Sequence, residues 1–395
     1  MRVAIAELSS SRIREVANAG IGRADVLAFW FGESDAPTPQ PVKDAAIASI
    51  QSGETYYSHN LGMPELREAI AAYASSLHRP VTAERVAVTS AGVSALMLAQ
   101  QVLIDAGDEV VAVVPVWPNL TAQPVIMGAT VRRVSLRPDA QGGWQLDLAE
   151  LLAAITPATR MLVVNAPNNP TGWTLTRAEQ QAILDHCRRT GTWILADEVY
   201  ERMVFGGADG DVRQVLRDGR LSAPSFLDIA EPDDRLVVVH SFSKSFLMTG
   251  WRLGNLVAPA DLVVQLGKLI EFNTSCAPVF VQRAGLAALA HAHTSVPALQ
   301  AHLRLCRDTL IAGLRGLPAV QVATPPGAMY AFLRVEGQAD TLEFAKHLVR
   351  EHGLGLAPGV AFGDEAQGWL RWCFASEDVA RLSDGVARLA RALAR

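Results

Sequence analysis

The sequence lacks the features that mark secreted and membrane proteins. It has only four cysteines, Cys187, Cys276, Cys306 and Cys373, and their spacing forms neither a C-x-x-C pair nor a zinc-like cluster. Scattered cysteines of this kind are typical of reduced thiols in the cytoplasm. No apolar stretch is long enough to cross a bilayer, and the amino-terminal residues contain no apolar segment typical of a secretory signal. We therefore expect a cytoplasmic protein without a membrane partner.

Excess charge of one sign is also missing. The 35 lysine and arginine residues nearly balance the 40 aspartate and glutamate residues, which gives a formal net charge of -5. No run of five or more like charges occurs, so neither a nucleic acid nor an anionic membrane is the expected partner. Half of the residues are hydrophobic, which is ample for a core, and 395 residues are many for a single domain. We expect two lobes.

The middle of the chain alternates short apolar runs with helical patterns. Five runs are typical of buried strands, at residues 86–89, 109–114, 161–165, 193–197 and 236–240. The helical segments between them predict a mainly parallel sheet that is covered by helices. One helix start is well marked, because Thr176 and Glu179 form a capping box before a helix that should end near Arg189.

The pattern changes after residue 290. A long helix is predicted over residues 296–314, followed by short strands and a terminal amphipathic helix over residues 378–393. We expect three units: an amino-terminal arm of residues 1–40 that packs on the small domain, a large domain of residues 41–290, and a small domain of residues 291–395. Residues 206–224 are rich in glycine, aspartate and arginine, which predicts a solvent-facing excursion.

The most informative stretch is residues 241–254, directly after the last predicted strand. It places Lys244 among serines and small residues, with Arg252 eight positions later. A lysine that forms a Schiff base must be a free amine near neutral pH, which needs burial or a nearby cation. Serines and an arginine suit a phosphate dianion, and a lysine beside a phosphate cradle is what pyridoxal phosphate (PLP) requires. Taken alone, Lys244 would be interpreted as a surface lysine in a serine-rich loop.

Three other predicted strands end in polar residues, and ligands of doubly wound sheets bind at the carboxyl ends of strands. Residues 90–96 form a small-residue turn into a helix, whose backbone N–H groups suit an anion. Residues 165–172 form a loop that proline and glycine make rigid enough to fix an asparagine. Asp197 ends a buried strand and needs a partner, for which a protonated pyridine ring is suited. The alternative is a carboxylate that pairs with a protein arginine or caps a helix. Each feature also occurs without a ligand.

The order of these motifs resembles the class I/II aminotransferase family, whose members are fold-type I PLP enzymes. Asn-Pro-Thr-Gly, Asp-x-x-Tyr, Ser-x-x-Lys and Arg follow one another along the chain. The separations are 28, 47 and 8 residues between Asn169, Asp197, Lys244 and Arg252. Similar segments at residues 32–39, 57–66 and 370–375 extend the resemblance over nearly the whole chain. It implies an α/β fold, with a large domain on a mainly parallel seven-stranded sheet and a smaller α+β domain.

The resemblance implies a role towards PLP for each motif residue. Lys244 would bind the cofactor as a Schiff base and then transfer the proton, while Asp197 would pair with the pyridine nitrogen. Tyr200 and Asn169 would bond the 3-oxygen of the ring, and Trp117 would stack on its face. The phosphate would be held by Ser241, Arg252 and the backbone of Ala91, Gly92 and Val93. Many relatives have glycine where this chain has Ala91, and we expect little consequence because the contact is made by backbone.

Arg371 is the candidate for the substrate carboxylate. By resemblance it would grip the α-carboxylate in a bidentate pair, helped by Asn169 and the backbone at Gly32. The alternative is an arginine that pairs with a protein carboxylate such as Glu33 or Asp35.

Tyr57 would reach the phosphate of the neighbouring subunit, so the resemblance implies a homodimer with shared sites. The side-chain pocket is not a motif. Its candidates by family position are Ile13, Ile21, His59, Asn60, Asn273, Thr274, Ser275, Cys276 and Met329. No arginine stands at the partner-subunit position expected for a dicarboxylate side chain, although this does not exclude acidic substrates.

The leading hypothesis is a PLP-dependent aminotransferase that moves an amino group between an L-amino acid and a 2-oxo acid, with 2-oxoglutarate as the expected acceptor. A PLP-dependent carbon–sulfur β-lyase would use the same residues, so the motifs do not separate these reactions. A PLP-binding regulator would carry a DNA-binding module, but only about thirty residues precede Gly32 and the net charge is negative.

Overall fold

The computed structural model describes residues 1–205, 214–215 and 219–394. Its largest sheet has seven strands, β1 (Val86–Thr89), β2 (Glu109–Val114), β3 (Thr130–Ser135), β4 (Thr159–Asn165), β5 (Trp193–Asp197), β6 (Leu236–Ser241) and β7 (Gly254–Val257). The order across the sheet is β1-β7-β6-β5-β4-β2-β3, and only β7 runs antiparallel to its neighbours. The prediction of a mainly parallel seven-stranded sheet is therefore confirmed.

Two of the seven strands, β3 and β7, were not predicted. β3 lies at the sheet edge and carries Arg132 and Arg133 at its centre, so it contains no continuous apolar run. β7 is only four residues long and begins with Gly254 and Asn255. Gly254 is required there, because a Cβ at this position would lie 2.3 Å from the backbone nitrogen of Gly92.

The strands pack into separate hydrophobic clusters on the two faces of the sheet. In β4, Leu162 and Val164 belong to one cluster, whereas Met161 and Val163 belong to the other. This division follows from the strand geometry, because successive side chains point to opposite faces. Strands covered on both faces are apolar throughout, which explains why these runs could be recognised in the sequence.

Fourteen helices lie in the described part of the chain. They are Val3–Ala6, Arg12–Asn18, Gln40–Gln51, Pro64–Leu77, Gly92–Leu103, Asn119–Met127, Leu148–Ala154, Arg177–Thr190, Phe242–Ser245, Ala260–Glu271, Val279–Ala290, Ala292–Arg315, Thr341–His352 and Ala380–Leu393. The predicted capping box is present, since Glu179 accepts from Thr176 N at 2.7 Å and Thr176 accepts from Glu179 N. None of the helices in these ranges combines the length and apolar character that a membrane span requires.

A second, smaller sheet lies towards the carboxyl end of the chain. Its strands are β8 (Val320–Val322), β9 (Tyr330–Val335), β10 (Ala357–Pro358) and β11 (Trp369–Cys373). They are ordered β8-β9-β11-β10, and all neighbours are antiparallel. Helices Ala292–Arg315 and Thr341–His352 contact this sheet, which makes an α+β unit beside the large sheet.

The amino-terminal residues contact this smaller unit. Helix Arg12–Asn18 lies against helix Thr341–His352 and β10. The short strand Leu27–Ala28 pairs in parallel with Leu354–Gly355. The domain limits at residues 40 and 290 stay predictions.

The predicted solvent-facing excursion is only partly described. Of residues 206–224, residues 206–213 and 216–218 lie outside the described ranges. Strand Gln214–Val215 pairs with Leu221–Ser222, and a further short pair joins Arg137–Pro138 to Trp144–Gln145. The prediction is wrong for residues 222–224, which are buried. Gln180 fixes this part of the segment by donating to Pro224 O at 2.9 Å.

Candidate active site

The carboxyl ends of β4, β5 and β6 meet at a cavity of about 550 Å³. The last residue of each strand lines it, namely Asn165, Asp197 and Ser241. The small sheet contributes Tyr330 and Arg371 from β9 and β11. This is the location expected for a ligand of a doubly wound sheet.

Most of the residues singled out in the sequence meet at this cavity. Those that line it are Gly32, Gly92, Val93, Trp117, Asn169, Asp197, Tyr200, Ser241, Lys244, Arg252 and Arg371. Ala91 lies in the turn before Gly92 without lining the cavity, and Tyr57 is 87% exposed and lies outside it. Of the side-chain pocket candidates, Ile13 lines the cavity of the described chain and the other eight do not.

Lys244 lies in the one-turn helix Phe242–Ser245 that follows β6. Ser241 begins this helix, and its Oγ accepts a hydrogen bond of 3.1 Å from the backbone N–H two residues later. Lys244 Nζ donates to Gly32 O and lies 5.5 Å from the centre of the Tyr200 ring. Burial lowers the pKa of Lys244 to about 8, so a usable fraction of it is a free amine near neutral pH.

Asp197 is a buried carboxylate, with 2% of its surface exposed. Its Oδ1 accepts a hydrogen bond of 3.3 Å from Val199 N, and no cationic side chain of the described residues forms an ion pair with it. Burial raises the pKa of Asp197 to about 6, which the positive charge of Lys244 partly opposes. The alternative of a salt bridge to a protein arginine is therefore not realised within the described ranges.

Asn165 connects the loop of Asn169 to the strand of Asp197, and sequence reasoning gave it no role. Its Nδ2 donates to Asp197 O at 2.9 Å, and its Oδ1 accepts from Asn169 N at 2.8 Å. The available signal was an amide as the last residue of an apolar strand, where burial requires the side-chain oxygen and nitrogen both to find hydrogen-bond partners.

Arg371 is buried in β11 and is only 2% exposed. Nη1 donates to Asn169 Oδ1 at 2.9 Å, Nη2 donates to Trp30 O, and the buried Nε has no hydrogen-bond partner. The guanidinium carbon lies 4.5 Å from the centre of the Tyr330 ring and 4.8 Å from that of Phe362. None of the described carboxylates pairs with it. The arginine therefore lines the cavity with a positive charge that no described carboxylate balances.

The turn before helix Gly92–Leu103 forms another side of the site. A Cβ on Gly92 would lie 3.1 Å from the Cβ of Ser241, so the two segments are in close contact. Arg252, eleven residues after Ser241 in the chain, lines the same cavity. Its Nη1 donates to Thr249 O at 2.6 Å. Backbone N–H groups at a helix N-terminus together with a serine and an arginine form an anion site.

Ala91 adopts a backbone conformation that side chains disfavour. Its φ is 106° and its ψ is 156°. Holding a residue other than glycine in such a region costs on the order of 1–3 kcal/mol. The expectation that alanine has little consequence here considered only the backbone contact and overlooked this strain.

Comparisons with known proteins identify the chain. Residues 24–389 match the family described as aminotransferase class I and II. The chain belongs to this aminotransferase family.

Three relatives illustrate the likeness of this aminotransferase to known proteins. An aspartate aminotransferase of Pyrococcus horikoshii is 30% identical over 390 residues, covering 98% of this chain and 95% of the relative. An arginine–pyruvate transaminase of Pseudomonas aeruginosa is 32% identical over 349 residues, covering 88% and 85%. The solved structure of Thermus thermophilus aspartate aminotransferase with maleate has a TM-score of 0.89 and 29% identity, covering 100% of this chain and 99% of that one.

The chain is thus a PLP-dependent aminotransferase of fold type I, as the motif order implied. These relatives are all aminotransferases by name, which favours transamination over the carbon–sulfur β-lyase reaction.

Three residues that line the aminotransferase cavity, Arg14, Phe31 and Tyr330, lie outside every segment that the sequence singled out. Others lie within such segments but were given no role of their own, namely Leu96, Asn119, Asn165, Val199, Ser243, Thr249 and Gly250. Arg14 is exposed, lies 5.8 Å above the centre of the Phe31 ring, and has no ion pair among the described residues. The sequence held no signal for Arg14, because its approach to the cavity depends on where helix Arg12–Asn18 packs.

Proposed function

We propose that this aminotransferase moves an amino group between an L-amino acid and 2-oxoglutarate, with PLP held in the cavity and bonded to Lys244. One observation carries the proposal: three buried or partly buried charged groups meet at the cavity without partners that balance them. They are Lys244 with its lowered pKa, Asp197 without a cation, and Arg371 without a carboxylate. A cofactor and a substrate of matching charges would compensate each of them.

The residues present fit PLP. Asp197, a desolvated carboxylate, suits a protonated ring nitrogen. The hydroxyl of Tyr200 and the amide of Asn169 would bond the 3-oxygen, and Trp117 would stack on the ring. The phosphate would be bound by Ser241, Arg252 and the backbone N–H groups of Ala91, Gly92 and Val93.

When bound, PLP supplies an electron sink for the charge that develops at the substrate α-carbon. Lys244 Nζ would take the proton from that carbon and deliver it to the cofactor side, which its pKa of about 8 allows near neutral pH. Asp197 would keep the proton on the ring nitrogen. Gly32 O, which accepts from Nζ, positions the amine at the cavity edge.

Arg371 would bind the substrate α-carboxylate. Asn169 and Trp30 each accept from one terminal nitrogen, and the second N–H of Nη1 and of Nη2 is left for the two oxygens of a carboxylate. Arginine suits this task better than lysine because its planar fork matches a carboxylate.

A second guanidinium supports a dicarboxylic substrate such as 2-oxoglutarate. Arg14 lines the same cavity as Arg371 and has no carboxylate partner within the described ranges. One solved relative, the Thermus thermophilus enzyme, is an aspartate aminotransferase with maleate, which is a dicarboxylate. Glu33 also lines the cavity, and its carboxylate would suit a cationic amino acid instead. A substrate panel must therefore distinguish dicarboxylic from cationic substrates.

The active unit is proposed to be a cytoplasmic homodimer. Tyr57 and Phe272 are 87% and 90% exposed in the single chain, and Tyr56, Ile47 and Ile50 are also exposed. A subunit interface would remove these apolar side chains from water, and across it Tyr57 would reach the phosphate of the neighbouring site. All four cysteines are unpaired, which is consistent with a reducing compartment.

The experiment is an end-point assay of the PLP-loaded enzyme with a panel of L-amino acids and either 2-oxoglutarate or pyruvate. Formation of glutamate from 2-oxoglutarate is the expected result. Formation of pyruvate and ammonia without any oxo-acid acceptor would contradict transamination, and arginine as the preferred donor with pyruvate would contradict the dicarboxylate assignment. Sedimentation that finds a fully active single chain would contradict the dimer.

A further inference from the structure

Tyr330 is a buried tyrosine at the start of β9 for which the sequence gave no role. Its hydroxyl oxygen lies 2.6 Å from that of Tyr200, and the two rings meet edge to face with centres 5.7 Å apart. Its own exposure is 0%. A Cβ on Gly32 would lie 2.1 Å from the Tyr330 hydroxyl, so only glycine there leaves room for this pair.

The direction of the hydrogen bond between the two hydroxyls decides what Tyr200 can do. Burial raises the pKa of both tyrosines, so each keeps its single proton. If Tyr200 donates to Tyr330, it has no proton left for another acceptor. If Tyr330 donates instead, Tyr200 accepts on a lone pair and keeps its own proton for the cavity.

The surroundings favour Tyr330 as the donor. The Arg371 guanidinium lies 4.5 Å over the Tyr330 ring, and a cation there strengthens the attached hydroxyl as a donor. Neither hydroxyl has a second hydrogen-bond partner within the described ranges, so the cation near each ring decides the direction. Arg371 lies closer to the Tyr330 ring, at 4.5 Å, than Lys244 lies to the Tyr200 ring, at 5.5 Å. The other titratable groups that act on the pair are Asp197, Cys373 and Lys244.

We propose that Tyr330 is a positioning residue whose hydroxyl donates to Tyr200 and thereby directs the Tyr200 proton towards the 3-oxygen of the cofactor. The inference rests on the proposed function, in which Tyr200 bonds that oxygen. It also connects the carboxylate site to the cofactor site, because the same Tyr330 ring supports Arg371.

The test compares Tyr330→Phe with the wild type in two measurements that do not depend on turnover. One is the pH midpoint of the near-visible absorbance of the bound cofactor, and the other is the PLP dissociation constant of the apoenzyme from tryptophan fluorescence. A 3-oxygen that has lost an oriented donor is a stronger base and holds the neighbouring proton more tightly. The midpoint should therefore rise on the order of half a pH unit or more. Loss of one buried hydrogen bond should weaken PLP binding about three- to tenfold.

Two further variants separate positioning from a structural role. In a Tyr200→Phe background, Tyr330→Phe should add no further shift, because the effect passes through the Tyr200 hydroxyl. Tyr73→Phe is the matched control, since it removes a partly buried hydroxyl that pairs with Arg202 outside the cavity, and it should change neither measurement.

The inference is overturned if Tyr330→Phe keeps the wild-type midpoint and PLP affinity, even with a lowered melting temperature. It is also overturned if the shift persists in full without the Tyr200 hydroxyl. A wild-type protein that binds no PLP and shows no near-visible band would instead overturn the proposed function together with this inference.

Discussion

Asn169 Oδ1 accepts a hydrogen bond of 2.9 Å from Arg371 Nη1, across 202 residues of sequence. The amide assigned to the 3-oxygen of the cofactor therefore also fixes the arginine assigned to the substrate carboxylate. Asn165 holds the backbone of Asn169 in turn, and it also bonds the carbonyl of Asp197. The residues proposed to bind cofactor and substrate are thus joined in one hydrogen-bonded group at the ends of β4 and β5.

Arg371→Lys should lower kcat/KM for every amino-acid substrate alike, since all of them share the carboxylate. We expect a loss of roughly 2–4 kcal/mol of transition-state binding, because an ammonium does not reproduce the planar fork. Steady-state kinetics with an amino acid and its matching amine provide the measurement. Arg381→Lys, a change in an arginine that pairs with Asp35 outside the cavity, is the control. A preference for the acid that survives intact in Arg371→Ala would show that the carboxylate is held elsewhere.

Arg14→Gln should weaken dicarboxylic substrates selectively. Losing one charge-assisted pair should lower kcat/KM for glutamate and 2-oxoglutarate about 10- to 100-fold. Values for alanine and pyruvate should stay near those of the wild type. Arg12→Gln removes a neighbouring charge that pairs with Glu15, and it should have little effect on either class. Equal losses for both classes would contradict the assignment of Arg14 to a second carboxylate.

Ala91→Gly should stabilise the protein, because glycine tolerates the φ of 106° at this position. Relief of the strain exceeds the added freedom of the unfolded chain, so the free energy of unfolding should rise by about 0.5–2 kcal/mol. The measurement is denaturant unfolding of the apoenzyme. Ala72→Gly, in the exposed face of helix Pro64–Leu77, should instead destabilise by about 1 kcal/mol. Equal destabilisation by both changes would show that Ala91 is not strained.

His78 should make stability fall as the pH rises above neutrality. Burial opposes its charge, but bonds of 2.8 Å to Asp228 and 3.0 Å to Glu201 outweigh burial and raise the pKa of His78 to about 10. Because the pKa is raised in the folded state, the stabilisation from His78 is complete below the unfolded-state pKa of about 6.5. It is lost as the pH rises towards the folded-state pKa of about 10. The wild type should lose on the order of 2–4 kcal/mol more than His78→Gln between pH 7 and pH 10. Parallel stability curves for the two proteins in urea unfolding would exclude this role.

The sequence predicted the residues whose chemistry is distinctive and missed those whose role depends on packing. Lys244 and Asp197 could be predicted because their order and spacing with Asn169 and Arg252 resemble a family pattern, whereas neither residue taken alone pointed to a ligand. Tyr330 is one aromatic among several in a strand, and only the fold shows that its hydroxyl meets Tyr200. β3 escaped prediction because its central arginines lie at a solvent-exposed edge, where no apolar run is needed. The role proposed for Tyr57 is a contact with the phosphate site of a second subunit, so that role stays a prediction.

The central claim is that Lys244 is the lysine to which PLP is bonded, and borohydride reduction tests it most directly. Reduction converts the bond between lysine and cofactor into a stable amine, and peptide mapping then locates the pyridoxyl group. The chain has only four lysines, Lys43, Lys244, Lys268 and Lys346, and Lys244 alone of them lines the cavity. The account predicts the label on Lys244 and none after reduction of Lys244→Ala. A label on any of the other three lysines, or full labelling of Lys244→Ala, would contradict it.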